Sequence, residues 1–274
     1  MSIVVALGIP IAILGLVLLL GFVGCGLPVG GLPGGGSPFD DIVNGIPSLV
    51  AFWHLDEEGG ATAKDSKDGH DGGYQSLQLE ADDPLQSAAA PGTLQFGQPS
   101  LISGEPGKHS IRVNGGWVEV PHTPDLNTPQ FTVQLLVRTA WTAADTRAFR
   151  CVFSNEDGSA KTGFGLYANP NNSWEAWIGD GATQVFATAD KPINLGNKEY
   201  LVVTYDGTTL TLYVDSNVRA TLAAGFAPTT TPLPATIGIV NGNHWPFVGD
   251  LQEVAYYNAA LDQQTVTNIG LTTT

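Results

Sequence analysis

The sequence is poor in cations: 11 Lys and Arg stand against 26 Asp and Glu, a formal net charge of −15. So acidic a chain is repelled by phosphate backbones and anionic lipid surfaces, which argues against nucleic acid as a partner. Its many carboxylates are instead hard oxygen ligands for divalent cations. Cysteine is scarce too. Cys25 and Cys151 lie far apart, which excludes a disulfide framework and any Cys/His zinc spacing. Cys151, beside Val152 and Phe153, reads as a small buried apolar residue. There is no nucleophile elbow and no Ser/His/Asp grouping. The alternating acidic run that a glycanase lays along one strand face is also missing, since Asp56, Glu57 and Glu58 are consecutive. The chain is therefore expected not to be an enzyme. Sustained helical periodicity is lacking as well, which leaves an all-β fold as the expectation.

Residues 3–23 contain no charged side chain, and the first charge in the chain is Asp40. About 20 apolar residues cross a bilayer as a helix, so this run is long enough to hold the chain at a membrane. Two forms of anchor are open. One is a plain membrane helix. The other is a lipoprotein signal, because FVGC at 22–25 resembles a bacterial lipobox and Cys25 would be the lipidated residue. No Lys or Arg precedes the run, so the basic flank usual to both is missing. An apolar peg in an oligomeric assembly is a third reading. LPVGGLPGGGSP at 27–38 is too rich in Gly and Pro for a regular element and reads as a tether. The expected organisation is an anchor or signal over 1–25, a linker over 26–48 and one folded domain over 49–274. The expected location is extracytoplasmic, on a cell surface or alternatively on a virion.

In the folded part, apolar residues alternate at period two in short runs bounded by turn residues. In FTVQLLV at 131–137, positions 131, 133, 135 and 137 point one way. Residues 201–205 and 210–214 are two strands joined by a turn at Asp206-Gly207, a β-hairpin. Residues 117–120 and 251–256 are further strands. One short helix is expected over 262–269, capped by Asp262. The pattern predicts an antiparallel two-sheet sandwich.

Four segments carry a resemblance. LVAFWHLDEEGGATAKDSKDGHDG at 49–72, SIRVNGGWVEVP at 110–121, TYDGTTLTLYVD at 204–215 and VGDLQEVAYYNAAL at 248–261 resemble, in order, the blocks of LamG-like jelly-roll domains of the concanavalin A-like type. The resemblance implies a jelly roll over nearly all of residues 49–274. It does not imply one function, because this fold hosts lectins, glycanases, adhesion modules and structural fillers. Relatives usually carry Trp where Leu136 stands and Asp where Gln252 stands. Many hold a Ca²⁺ where the first block meets the closing strand, so the resemblance implies Asp56, Asp65 and Gln252 as candidate ligands. The competing role for Asp56 and Asp65 is to cap backbone N–H groups of the turns.

Sugar sites use aromatic faces stacked on pyranose rings, with Asn, Asp, Gly and His fixing hydroxyls. The turn-rich NGNHWPF at 241–247 offers Asn243, His244 and Trp245. A second strand brings Trp174 and Trp177, preceded by Asn172. Three residues apart on a strand, the two Trp face opposite sides, so at most one is expected in the core. Trp53 and Trp117 read as structural, Trp141 lies in an expected loop, and His54 and His70 read as turn or strand-surface residues. The expected function is a tethered binding module for carbohydrate, the alternative being a structural or protein-interaction module. The expected partner is accordingly a glycan or a surface protein.

Overall fold

The computed structural model describes residues 37–76, 93–105, 107–145, 149–241 and 244–274. The expected anchor, with Cys25, lies outside the described residues. In chain order the elements are α1 (Pro38–Asn44), β1 (Leu49–Trp53), β2 (Thr62–Ala63), β3 (Gly72–Ser76), β4 (Thr93–Pro99), β5 (His109–Asn114), β6 (Gly116–Val120), β7 (Phe131–Thr139), β8 (Arg150–Ser154) and β9 (Thr162–Ala168). There follow β10 (Ser173–Asp180), β11 (Gln184–Pro192), β12 (Lys198–Tyr205), β13 (Thr209–Val214), β14 (Asn217–Ala223), β15 (Ala235–Ile237), β16 (Val248–Tyr257) and α2 (Gln263–Leu271).

Among the described residues the strands form two antiparallel sheets. The first runs β14-β13-β12-β7-β16-β5-β4, with β1 also paired to β16. The second runs β11-β10-β9-β8-β15-β6-β3-β2. This is the two-sheet sandwich that the period-two pattern predicts and the jelly roll that the resemblance implies. Phe131, Val133, Leu135 and Val137 all point inward, where they join Leu201, Val203, Leu210 and Leu212 of the same sheet. The facing sheet contributes Val118, Val152, Phe164, Leu166, Trp174 and Ile178. The β12–β13 hairpin forms as expected. Asp206 Oδ1 accepts from Thr208 N and Thr209 N at 2.8 Å each, and Gly207 takes the left-handed backbone (φ 97°) that a side chain would resist.

The outer face of the first sheet is also covered. Leu136, Val202, Tyr213, Ala255 and Tyr257 form a second core, roofed by Phe39 and Val43 of α1 and by Val266 and Ile269 of α2. Leu136, where relatives carry Trp, thus lies under this roof. The closing helix is the expected one, and Asp262 accepts from Thr265 N at 2.7 Å.

The folded part, however, begins before Leu49. Ser37 accepts from Asp40 N at 3.1 Å, Pro38 opens the first turn, and α1 follows within the stretch expected as linker. The helix is fixed by Asp40, which pairs with Lys108 at 2.7 Å. Lys108 also reaches Glu253 Oε1 at 2.9 Å, and Glu253 Oε2 pairs with His54 at 2.8 Å.

Candidate functional site

The candidate cleft forms where the β8–β9 loop meets the loop that enters β16. Its volume is about 620 Å³. The first loop contributes Glu156, Asp157, Gly158 and Ser159. The second contributes Val240, Asn241, His244 and Trp245, and Leu233 completes the lining.

Both loops are built by identifiable contacts. Asp157 Oδ1 accepts from Ser159 N, Ser159 Oγ and Ala160 N at 2.6–3.0 Å, closing a tight turn. The Ser159 hydroxyl, with the Ala160 N–H behind it, holds the Asp157 carboxyl below its ordinary pKa, so this charge persists through the neutral range. Across the cleft, Val240 N donates to His244 O at 3.0 Å, and Cys151 N donates to Trp245 O at 2.8 Å. Phe247 then plunges into the main core, edge-on to Trp141. Pinned at both ends, the loop turns through Trp245 with φ 54°, a backbone region unfavourable for a bulky side chain. The indole rests against Phe149 (5.1 Å between centroids) and edge-on to Tyr167 (5.8 Å), and is 38% exposed.

Glu156 lies at the inner end of the cleft and is 1% exposed. Burial pushes its carboxyl up to about 8. The Tyr167 hydroxyl beside it draws it down a little, and the Asp157 charge pushes it further up. The carboxyl is therefore mostly protonated at neutral pH. Its Oε2 adjoins the Tyr167 hydroxyl, and both atoms are closed off from solvent with no other hydrogen-bond partner among the described side chains. Both crowd over Gly165, where any Cβ would collide with them. The cleft thus carries an aromatic face, a fixed negative charge and, at its inner end, the buried Glu156 carboxyl.

Of the residues singled out in the sequence, His244 and Trp245 come together at this cleft and are exposed. Asn243 lies outside the described residues. Trp174 does not reach the cleft. It is fully buried in the core, and its Nε1 donates to Glu199 Oε2 at 2.8 Å. Trp177 does face the other way, but Tyr167 stacks on it and it is buried as well. The expectation that at most one of the pair is enclosed fails, because loops cover that part of the outer face too. Asn172 sits in a turn at φ 55°, and its Oδ1 accepts from Trp141 Nε1 at 3.0 Å, so it orders a neighbouring core Trp. Trp53 and Trp117 are buried, as their structural reading requires.

The calcium candidates have other duties. Asp65 is buried. Its Oδ1 accepts from Phe52 N (2.8 Å) and Lys67 N (3.0 Å), and its Oδ2 accepts from His70 N (3.0 Å). Gln252 Oε1 accepts from Leu101 N at 2.6 Å, fixing the loop after β4. Asp56 is half-buried. With the oxygens of Asp65 and Gln252 turned to backbone donors, the set does not fit a calcium ion. Among the described residues one trio of possible ligands converges, Asp40, His54 and Glu253, and the Lys108 ammonium already stands among them as the cation.

Glu156, Asp157 and Tyr167 were not singled out in the sequence. The one signal was the alternation of Gly163 and Gly165 on one face of β9, which marks a strand that other groups approach closely.

A family model, described as the concanavalin A-like lectin/glucanases superfamily, matches residues 112–267. No curated protein matches the chain. Among solved structures, the chain resembles the Trypanosoma rangeli sialidase in complex with the inhibitor DANA, at 14% identity and a TM-score of 0.54, over 81% of this chain and 32% of that one. It thus spans about a third of that sialidase. It also resembles the binding domain of Paraclostridial Mosquitocidal Protein 1, at 16% identity and a TM-score of 0.51, over 71% of this chain and 51% of that one. A third similar structure is the Ruminococcus gnavus IT-sialidase CBM40 bound to α2,3-sialyllactose, at 15% identity and a TM-score of 0.50, over 60% of this chain and 97% of that one. Identities this low speak for the fold alone. The family match covers more than half of the chain and agrees with the two-sheet sandwich, and by it this protein belongs to the concanavalin A-like lectin/glucanases superfamily.

Proposed function

We propose that this protein is a non-catalytic, surface-tethered module that binds carbohydrate in the cleft beside Trp245. The observation that carries the reading is the partly exposed indole, held in a strained turn at the edge of a cleft whose buried end holds the Glu156 carboxyl with one oxygen unpartnered. An aromatic face with a few convergent polar groups is the composition of a sugar site. The similar structures include a carbohydrate-binding module bound to a sialylated sugar and a toxin's binding domain, which favours binding over turnover. Residues 3–23 support the tether, which holds the domain outside the cytoplasm on a cell or virion surface. N-terminal mass spectrometry separates its two forms: an acylated Cys25 for the lipoprotein, an intact Met1 in the membrane fraction for the helix.

A glycan array probed with the full chain tests the binding. Retention of at least one glycan class is expected, and Trp245→Ala should weaken it tenfold or more while far-UV circular dichroism stays unchanged. Undiminished retention by the variant would move the site elsewhere. A second reading, a protein-interaction module, is favoured by Phe186, which stands half exposed on the edge strand β11. That reading prevails if the array stays blank and Phe186→Ser abolishes capture of a surface protein.

A further inference from the structure

Among the described residues, the lining of the cleft lacks one kind of group. It includes two carboxyls, Glu156 and Asp157, and neither Lys nor Arg. Recognition of a sugar acid rests on pairing its carboxylate with a cation, usually the fork of an Arg. Here the charge at the cleft is Asp157, kept ionised by the turn it closes. A sialate or uronate entering the cleft would meet a like charge and, among the described residues of the lining, no Lys or Arg.

The other polar groups suit hydroxyls. Glu156 is nine-tenths buried or more, lies at the inner end of the cleft, and has an oxygen without a partner. His244, exposed in the same lining, adds a ring nitrogen that can donate to or accept from a hydroxyl. Asp157 can accept from a hydroxyl, as sugar-binding carboxylates do. Trp245 offers an apolar face to the C–H side of a pyranose.

From this arrangement we infer that the cleft selects uncharged saccharides and excludes sialylated and uronic-acid glycans. The inference rests on the carbohydrate reading above and sharpens it. It sets this chain apart from the similarly folded module whose structure holds α2,3-sialyllactose.

The test is isothermal titration of the full chain, kept in a non-glycosidic detergent. The neutral probes are lactose, cellotriose and mannotriose. The acidic probes are α2,3-sialyllactose, trigalacturonate and a hyaluronan tetrasaccharide. At least one neutral probe should bind, with every acidic probe tenfold or more weaker. Asp157→Asn keeps the turn's acceptor oxygen and removes the charge, so it should narrow that gap about threefold, the weight of one unit charge at several ångströms near water. Tighter binding of an acidic probe would overturn the inference and leave the carbohydrate reading standing. A gap that Asp157→Asn leaves unchanged would also overturn it. No heat from any of the six would count against the carbohydrate reading itself.

Discussion

Glu156 keeps its proton at neutral pH because burial outweighs what its neighbours offer the charged form, and stability should record this. Burial pushes its carboxyl up to about 8 in the folded chain, from an ordinary value of about 4.5. Between those values the folded state holds a proton that the unfolded state has lost. Stability therefore falls as pH rises from about 4.5 to about 8 and levels off above. Each pKa unit is worth about 1.4 kcal/mol, so the total is a few kcal/mol. Glu156→Gln is isosteric and cannot ionise. Urea unfolding at pH 5 and pH 8 should show the variant gaining on the wild type by a few kcal/mol at the higher pH. Equal slopes for the two proteins would mean that Glu156 is solvated. Trp174 gives a contrasting case. Its indole N–H bonds to the buried carboxylate of Glu199, so Trp174→Phe should cost about 1–3 kcal/mol while glycan retention stays unchanged. Loss of retention in a folded Trp174→Phe protein would return this residue to the binding site. Its misassignment from sequence has a physical cause. Alternation tells which face a side chain takes, but not whether another layer covers that face.

The two helices show the same point at the level of the element. Alternation in β7 identified its inward face correctly, yet Leu136 on the other face is equally buried, because α1 and α2 lie over it. The C-terminal helix was legible through the Asp262 cap. α1 was not, although Ser37-Pro38 is a good helix start, because the Gly- and Pro-rich stretch before it extended the expected linker. The helix adds to the fold rather than trailing from it. Phe39 is fully buried against Phe52 (6.2 Å between ring centroids), so Phe39→Ala should cost about 3–5 kcal/mol in the unfolding free energy. A loss below about 1 kcal/mol would show α1 to be a peripheral attachment.

For the molecule as a whole, four ordered sequence blocks sufficed for the sandwich, because each carries strand alternation bounded by turn residues, and the block at 204–215 is a hairpin whose turn chemistry is local. The candidate cleft was only half legible. His244 and Trp245 stand out in a turn-rich loop, but Glu156 and Tyr167 gain their meaning from a neighbouring strand that alternation alone does not identify. The calcium expectation depended on positions inherited from a resemblance, and here Asp65 and Gln252 bind backbone instead. Excess Ca²⁺ followed by chelator should accordingly leave the unfolding temperature unchanged within a degree, and a rise of several degrees in Ca²⁺ would mean that a metal joins the first block to the closing strand. The carbohydrate reading itself meets its most direct test in the six tryptophan indole N–H signals of a nuclear magnetic resonance spectrum, recorded while a retained glycan is added. The Trp245 signal, assigned by its disappearance in Trp245→Phe, should move saturably while those of Trp53 and Trp174 stay fixed in the core. A glycan that binds without moving Trp245, or that moves another indole in its place, would contradict the account.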